Sequence, residues 1–185
     1  TVFRGIPFAA PPVGELRWRP PEPPTCAEEV LEASAFGPAC PQIDQVSGAF
    51  SGQEDCLTLN VWTPAALPVG GALRPVMLFI PGGGNSIGSA SEGTLGTHYY
   101  DGANLAAASG NVVVTIQYRL GPLGWLVHDD LAAESDEGVS GNYGLLDQVR
   151  ALTWVRDSIA AFGGDPGTVM IFGESAGAGK TCMLV

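Results

Sequence analysis

The chain has 185 residues, of which 45% are hydrophobic and 15% are charged, which is the balance of a folded globular protein rather than a disordered one. The formal net charge is -11 with only eight Lys and Arg residues, which excludes the basic surface that nucleic-acid-binding proteins need to neutralise phosphates. The longest apolar runs have the length of strands and fall far short of a membrane span, so no membrane-crossing segment is expected.

The chain opens with a proline-rich segment. Seven prolines lie between positions 7 and 24. Because proline fixes its own φ angle and restricts the residue before it, this composition favours extended and turn conformations over helix. We therefore predict an arm that wraps around the rest of the protein. The first residue is Thr, so a signal peptide cannot be assessed from this sequence.

Four cysteines are spread along the chain without any Cys-x-x-Cys pair, at Cys26, Cys40, Cys56 and Cys182. This spacing argues against a zinc ribbon or a thioredoxin-type pair, and no metal site is predicted. One disulfide with two free thiols is the simplest interpretation.

Four segments are predicted to be strands. Residues 57–62 alternate apolar and polar side chains, as in a strand with one covered face. Residues 76–80 and 112–116 are nearly continuous apolar runs, which indicate central strands covered on both faces. Residues 169–172 form a fourth, shorter run.

Two helices are predicted between these strands. Apolar residues recur at helical spacing from position 145 to 162, and two glycines then end the helix. Residues 103–108 indicate another crossover helix. Strands joined by helices imply right-handed βαβ units and a largely parallel sheet, and the pattern contains no internal repeat or domain boundary.

Residues 173–177 read Gly-Glu-Ser-Ala-Gly directly after the fourth predicted strand. In the G-x-S-x-G pattern a sharp turn holds the serine hydroxyl above the sheet edge, so Ser175 is the candidate nucleophile. The alternative is a glycine-rich connection with a capping serine. A second element favours the catalytic interpretation, because Pro-Gly-Gly-Gly at residues 81–84 follows another central strand and leaves backbone N–H groups open to a developing oxyanion.

Five further segments match one protein family and occur in the family's order. They are residues 3–9, 12–17, 54–61, 141–148 and 162–166. Through them the chain resembles the type-B carboxylesterases and cholinesterases over nearly its whole length. The resemblance implies an α/β-hydrolase fold, here incomplete, as the N-terminal portion of one catalytic domain. Residues 1–56 are the proline-rich arm and disulfide loop, and residues 57–185 are the sheet core up to the nucleophile. It also implies hydrolysis of small-molecule carboxylic esters through a serine acyl-enzyme, without a metal or organic cofactor.

The resemblance assigns roles to single positions. Ser175 matches the acylated nucleophile, and the N–H groups of Gly83, Gly84 and Ala176 match the oxyanion hole. Charged residues in the matched segments are expected to form structural ion pairs rather than to take part in catalysis, with solvated surface charges as the alternative. The expected pairs are Arg17 with Glu54 and Arg119 with Asp147.

Cys40 and Cys56 match a pair that closes a short surface loop as a disulfide in this family. Closing such a loop stabilises the fold by roughly 3 kcal/mol in the chain-entropy model. Cys26 and Cys182 match no family bridge and are predicted to be free. The disulfide favours an oxidising compartment, such as the periplasm or the medium, for the parent protein.

The sequence departs from the family after the nucleophile. The mechanism requires an acid and a histidine in the order Ser, acid, His, yet the ten residues that follow Ser175 contain no Asp, Glu or His. His98 and His128 both precede the serine and are predicted to be exposed loop residues without a catalytic part. The chain by itself is therefore expected to have no useful esterase activity.

Two local departures affect the acyl site, because Pro81 and Asn85 stand where the family commonly has His or aromatic residues. The ending is also atypical, since Gly179-Lys180-Thr181 resembles part of a phosphate-binding loop. A nucleotide-binding module is thus one alternative function, although Glu174 occupies the position where that loop needs Gly. A second alternative is a non-catalytic, cholinesterase-like interaction domain, which the intact Ser175 disfavours.

Overall fold

A five-stranded mixed sheet organises the chain in the computed structural model, which describes residues 1–25, 29–44, 47–64, 71–91, 93–94 and 97–185. The order of strands in this sheet is β1-β4-β8-β5-β9, and two small hairpins, β2–β3 and β6–β7, lie outside it. In chain order the strands are β1 (Val2–Pro7), β2 (Gln42–Ile43), β3 (Phe50–Ser51), β4 (Thr58–Trp62), β5 (Arg74–Ile80), β6 (Gly93–Thr94), β7 (Thr97–His98), β8 (Val112–Ile116) and β9 (Gly164–Gly173).

Five α-helices lie in the second half of the described chain, where they connect or follow the strands. They are α1 (Ala103–Ser109), α2 (Gly121–Trp125), α3 (Asp129–Ala133), α4 (Tyr143–Ser158) and α5 (Ala176–Met183), with short 3-10 helices at Gly14–Leu16 and Ile159–Phe162. Both predicted crossover helices are confirmed, since α1 joins β5 to β8 and α4 lies between β8 and β9. None of the helices in the described part of the chain combines the length and the apolar composition that crossing a bilayer requires.

The sheet is parallel on one side and antiparallel on the other. Strands β8, β5 and β9 run parallel, with Val76 paired to Val112 on one side and to Val169 on the other. Strand β4 runs antiparallel to both β1 and β8. The antiparallel side was not predicted, because strand direction depends on the connections between strands and the alternation in residues 57–62 contains no information on it.

Strand β4 is buried on both faces, so the prediction of one covered face was wrong. All five of its residues are buried. The polar side chain of Asn60 is tolerated there because its Oδ1 accepts from the Gly5 N–H at 3.0 Å and its Nδ2 donates to Thr115 Oγ1 at 3.0 Å. Alternation of polar and apolar residues therefore reflects an internal hydrogen-bond network rather than a solvent-facing side.

The proline-rich arm wraps the core as predicted, but it also contributes a strand. Residues 2–7 form β1, the edge strand paired with β4. Phe8 follows it and is completely buried in the main hydrophobic cluster. The carbonyl oxygen of Phe8 accepts a hydrogen bond from Arg150 Nε of α4 at 3.1 Å, which fixes the arm to a helix distant in sequence.

The predicted disulfide between Cys40 and Cys56 is present, with an S–S distance of 2.03 Å and both residues fully buried. It closes a loop that carries the β2–β3 hairpin. Cys182 is a free, exposed thiol, as predicted, and Cys26 lies outside the described residues. Within the described ranges, no group of three or more His, Cys, Asp and Glu side chains has the arrangement of a metal site.

Candidate active site

Ser175 lies at the turn between β9 and α5. Gly173 is the last residue of β9, and Ala176 is the first residue of α5. Ser175 adopts φ 52° and ψ -118°, a backbone conformation that residues other than glycine rarely adopt. The side chain is exposed to solvent. The turn therefore presents the serine hydroxyl at the carboxyl edge of the parallel strands, in a strained conformation typical of functional sites.

The two glycines of the motif are required by close backbone packing at this turn. A Cβ atom at Gly177 would collide with the carbonyl oxygen of Ile80 at the end of β5. A Cβ atom at Gly173 would lie 2.5 Å from the carbonyl carbon of Gly177. Any side chain at either position would separate the start of α5 from the sheet, so the sharp turn at Ser175 depends on both glycines.

The glycine loop, residues 81–88, follows β5 and lies beside this turn. The register of β5 and β9 pairs Ile80 with Gly173, so both loops leave the sheet at the same level. Gly83 and Gly84 have φ angles of 101° and 61°. A Cβ atom at Gly82 would collide with the Glu174 carboxylate and would lie 3.0 Å from Ser175 Cβ. The loop thus packs directly against the serine.

Three backbone N–H groups around the serine are unpaired. In the described part of the chain, the N–H groups of Gly83, Gly84 and Ala176 donate to no protein acceptor. The N–H of Ala176 belongs to the first turn of α5, where a helix leaves its donors unsatisfied and carries a partial positive charge. Unpaired N–H groups of this kind are able to donate to an anion.

Tyr118 holds the start of the glycine loop by a hydrogen bond and was not identified from the sequence. Its hydroxyl donates to the carbonyl oxygen of Pro81 at 2.9 Å. Burial raises the pKa of Tyr118 to about 12, and negative charge on Tyr100 and Glu174 adds to the shift. The sequence could have indicated Tyr118 by its position two residues after the central strand β8. The glycine loop and the Ser175 turn leave the sheet at the same edge, where β8 ends.

The two predicted ion pairs are present. Arg119 donates through Nε and Nη2 to both carboxylate oxygens of Asp147 at 2.7–3.2 Å, and its backbone N–H donates to Oδ2 at 2.9 Å. Burial raises the pKa of Asp147, while hydrogen bonds and charge from Arg119 oppose that shift. Arg17 and Glu54 form a bidentate pair at 2.6 and 2.8 Å that links the arm to the disulfide loop. Hydrogen bonding to Glu54 raises the pKa of Arg17.

Neither histidine contacts the serine. His98 Nδ1 lies 3.0 Å from the Ser91 carbonyl oxygen and its ring centroid lies 4.4 Å from that of Phe36. His98 is partly buried in β7, which corrects the prediction of an exposed loop residue. His128 is exposed and caps α3, where its Nδ1 accepts from the Asp130 N–H at 3.2 Å.

The atypical residues have defined places. Pro81 is buried, and Asn85 adopts a φ of 62° in the glycine loop. Gly179-Lys180-Thr181 lie inside α5 rather than in a loop. The ammonium of Lys180 lies 4.4 Å from the centroid of the Trp125 ring, and the hydroxyl of Thr181 donates to the Gly177 carbonyl oxygen at 3.1 Å.

The chain is similar to known esterases in sequence and in fold. Residues 1–185 match the model of the carboxylesterase family. The chain is 50% identical to fumonisin B1 esterase of Sphingopyxis macrogoltabida over 99% of its length, covering 33% of that protein. It is 47% identical to para-nitrobenzyl esterase of Bacillus subtilis strain 168 over 95% of its length, covering 34% of that protein. A solved PNB esterase superposes with a TM-score of 0.83 at 46% identity, over 97% of this chain and 35% of that one. The chain thus spans about a third of the length of these relatives.

Proposed function

The chain belongs to the carboxylesterase family, and from this premise we propose that it supplies the nucleophile and the oxyanion hole of a serine esterase acting on small-molecule carboxylic esters. The observation that carries this proposal is the position of Ser175. It occupies a strained turn between a parallel strand and a helix, in contact with a glycine loop in which the Gly83 and Gly84 N–H groups have no protein acceptor in the described part of the chain. No other serine in the described ranges combines these features.

In the proposed reaction, Ser175 Oγ attacks the ester carbonyl carbon and loses its proton to a base. The carbonyl oxygen becomes an oxyanion that accepts hydrogen bonds from the N–H groups of Gly83, Gly84 and Ala176. Collapse of this intermediate breaks the bond to the alcohol oxygen, which leaves with the proton, and an acyl-serine remains. Water then attacks the acyl group by the same route and releases the carboxylic acid.

The proposed base and acid lie outside this sequence. The residues after Ser175 contain no His, Asp or Glu, and the chain corresponds to about a third of its relatives. We therefore propose that the 185-residue chain alone retains oxyanion stabilisation but lacks proton transfer, which typically contributes about 10²- to 10⁴-fold to the rate.

Three further features complete the proposal. The chain forms the N-terminal portion of a single catalytic domain, with residues 1–56 as arm and disulfide loop and residues 57–185 as sheet core. Acyl transfer to serine requires no metal or organic cofactor. The buried disulfide between Cys40 and Cys56 favours an oxidising compartment, so we propose a secreted or periplasmic protein.

Labelling with a fluorophosphonate probe tests the nucleophile in the full-length esterase that contains this sequence. We expect one covalent label on Ser175, which Ser175→Ala abolishes. Ser34→Ala is the matched control, because Ser34 is exposed and lies in a different part of the fold. Absence of labelling in the wild-type protein would contradict the proposal and favour a non-catalytic interaction domain.

An activity assay of the 185-residue chain tests the proposal that the base and the acid are not among its residues. We expect no steady release of p-nitrophenol from p-nitrophenyl butyrate. Sustained turnover that disappears in Ser175→Ala would show that the chain contains its own base, and the proposed division of the catalytic residues would be wrong.

A further inference from the structure

The side chain of Gln42 connects the disulfide loop to the glycine loop. Gln42 lies in β2, two residues after Cys40. Its Oε1 accepts from the Gly88 N–H at 2.9 Å, and its Nε2 donates to the Gly88 carbonyl oxygen at 3.1 Å. The same Nε2 donates to the Cys40 carbonyl oxygen at 3.1 Å. One amide thus makes three hydrogen bonds to the backbone of two loops that are 46 residues apart in sequence.

Gly88 in turn packs on the part of the glycine loop that touches the serine. Its φ angle is 103°, and a Cβ atom at this position would lie 2.5 Å from the Gly82 carbonyl oxygen. Gly82 itself packs against Ser175. A continuous series of close contacts therefore runs from Gln42 through Gly88 and Gly82 to the proposed nucleophile.

Other contacts hold this loop at its two ends and at Asn85. Its first residue is continuous with β5, and Tyr118 holds the Pro81 carbonyl. Beyond residue 88, Gln117 Oε1 accepts from the Ala90 N–H at 3.1 Å. Between these ends, the Gly121 N–H donates to the Asn85 carbonyl oxygen at 2.7 Å, next to Gly83 and Gly84 with their positive φ angles. Gln42 is the side chain that fixes Gly88, where the loop turns back toward the sheet.

We propose that Gln42 is a positioning residue of the esterase, which holds the glycine loop so that the N–H groups of Gly83 and Gly84 face the substrate carbonyl oxygen. This inference rests on the proposed function. Gln42 acts through Gly88 and does not touch the substrate. Only a group that accepts and donates at once satisfies both backbone atoms of Gly88, which explains an amide at this position.

Kinetics of the full-length esterase test this role with three variants. Gln42→Ala removes all three bonds, and Gln42→Glu keeps the shape and the acceptor for the Gly88 N–H but loses both donations. Gln53→Ala is the matched control, because Gln53 lies in the same disulfide loop and is exposed. We expect kcat to fall about 10- to 100-fold in both Gln42 variants, less than the loss on removing an oxyanion donor outright. KM should stay close to the wild-type value, Tm should fall moderately because partly buried hydrogen bonds are lost, and Gln53→Ala should leave kcat and Tm unchanged.

Affinity for a trifluoromethyl ketone provides a second readout, because its bound form places an oxyanion in the hole. It should weaken in parallel with kcat in both Gln42 variants. A wild-type kcat in Gln42→Ala, a loss confined to KM, or a loss shared by Gln53→Ala would overturn the proposal.

Hydrogen–deuterium exchange of the peptide that covers residues 81–88 separates this inference from the proposed function. Gln42→Ala should speed exchange in this peptide, and Gln53→Ala should not. If the wild-type protein showed no esterase activity, the proposed function would fail, while the exchange rates would still show whether Gln42 holds the loop. Unchanged exchange in Gln42→Ala would refute the positioning role whatever the activity.

Discussion

Two ion pairs with similar geometry have different consequences at the scale of single residues. Arg119 and Asp147 are almost fully buried, with exposed side-chain fractions of 3% and 0%, whereas Arg17 and Glu54 are partly exposed at 39% and 28%. Removing one partner of a buried pair leaves an uncompensated charge away from water, while an exposed partner is solvated. Both ion pairs could be predicted from the segments that resemble the family. Burial, which the sequence does not give, decides which pair contributes more to the stability of the fold.

Asp147→Asn should therefore destabilise the protein strongly. Arg119 would lose its counter-charge in the interior, and we expect the free energy of unfolding to fall by about 3–5 kcal/mol. Urea denaturation followed by tryptophan fluorescence measures the change. Glu54→Gln is the control and should cost much less, and equal losses in the two variants would contradict this account.

Tyr118 is expected to make the folded protein less stable at high pH. Its pKa is raised from 10 to about 12, so the neutral phenol is favoured in the folded state. The associated stability is present below pH 10, the unfolded value, and is lost as the pH rises through about 12; two pKa units correspond to about 2.7 kcal/mol. Unfolding free energies measured from pH 9 to 12 should fall less steeply in Tyr118→Phe. Tyr99→Phe, at a residue that is 58% exposed, should keep the wild-type slope.

At the scale of elements, the turn between β9 and α5 depends on which of its glycines face the sheet. Gly177 packs against the end of β5, whereas a Cβ atom at Gly179, on the same helix, would meet nothing within 4 Å. The motif identifies Gly177 but gives no information on Gly179. The distinction comes from the face of the helix, because residues two apart on a helix point in nearly opposite directions and only Gly177 faces β5.

Gly177→Ala and Gly179→Ala should thus have opposite effects. We expect Gly177→Ala to destabilise by about 1–3 kcal/mol, because the methyl group forces α5 away from the Ile80 carbonyl. Gly179→Ala should stabilise by up to about 1 kcal/mol through helix propensity. Thermal unfolding of both variants measures this, and a neutral Gly177→Ala would mean that the turn relaxes without cost.

The sequence predicted the parallel part of the sheet well and the antiparallel part poorly. Continuous apolar runs identified β5 and β8 as strands inside the sheet. The expected coverage of both faces holds for β8, whereas β5 alternates buried and partly exposed residues. Strand β1 was missed because the prolines around it dominate the local pattern. The burial of β4 was missed because Asn60 is polar, although its hydrogen bonds are internal. For both β1 and β4, contacts with residues distant in sequence decided the structure, and the local sequence pattern did not.

At the scale of the whole molecule, a small number of long-range connections hold the arm and loops to the sheet. Arg150 holds the Phe8 carbonyl, and the disulfide joins Cys40 to Cys56 at the base of β4. The Ser175 turn and the glycine loop were both predicted from sequence because each is a short, continuous motif. Gln42 and Tyr118 were not predicted, because each acts through side-chain hydrogen bonds to a backbone segment distant in sequence.

Removal of the disulfide by the double variant Cys40→Ala/Cys56→Ala should lower the unfolding free energy by about 3 kcal/mol, because the loop it closes spans a separation of 16 residues. Chemical denaturation of the double variant measures the loss. Cys182→Ala, at an exposed free thiol, is the control and should leave stability unchanged. A double variant as stable as the wild type would show that the loop is held by its hydrogen bonds instead.

The pairing of Ile80 with Gly173 has a consequence for how such a protein diversifies. The nucleophile turn and the glycine loop leave neighbouring strands at the same rung, so the sheet sets their separation. A single-residue insertion or deletion within β5 or β9 would shift one loop by about 3.3 Å and exchange the two faces of the strand. Such a change would separate the Ser175 turn from the glycine loop, so we expect both strands to tolerate substitutions more readily than changes in length.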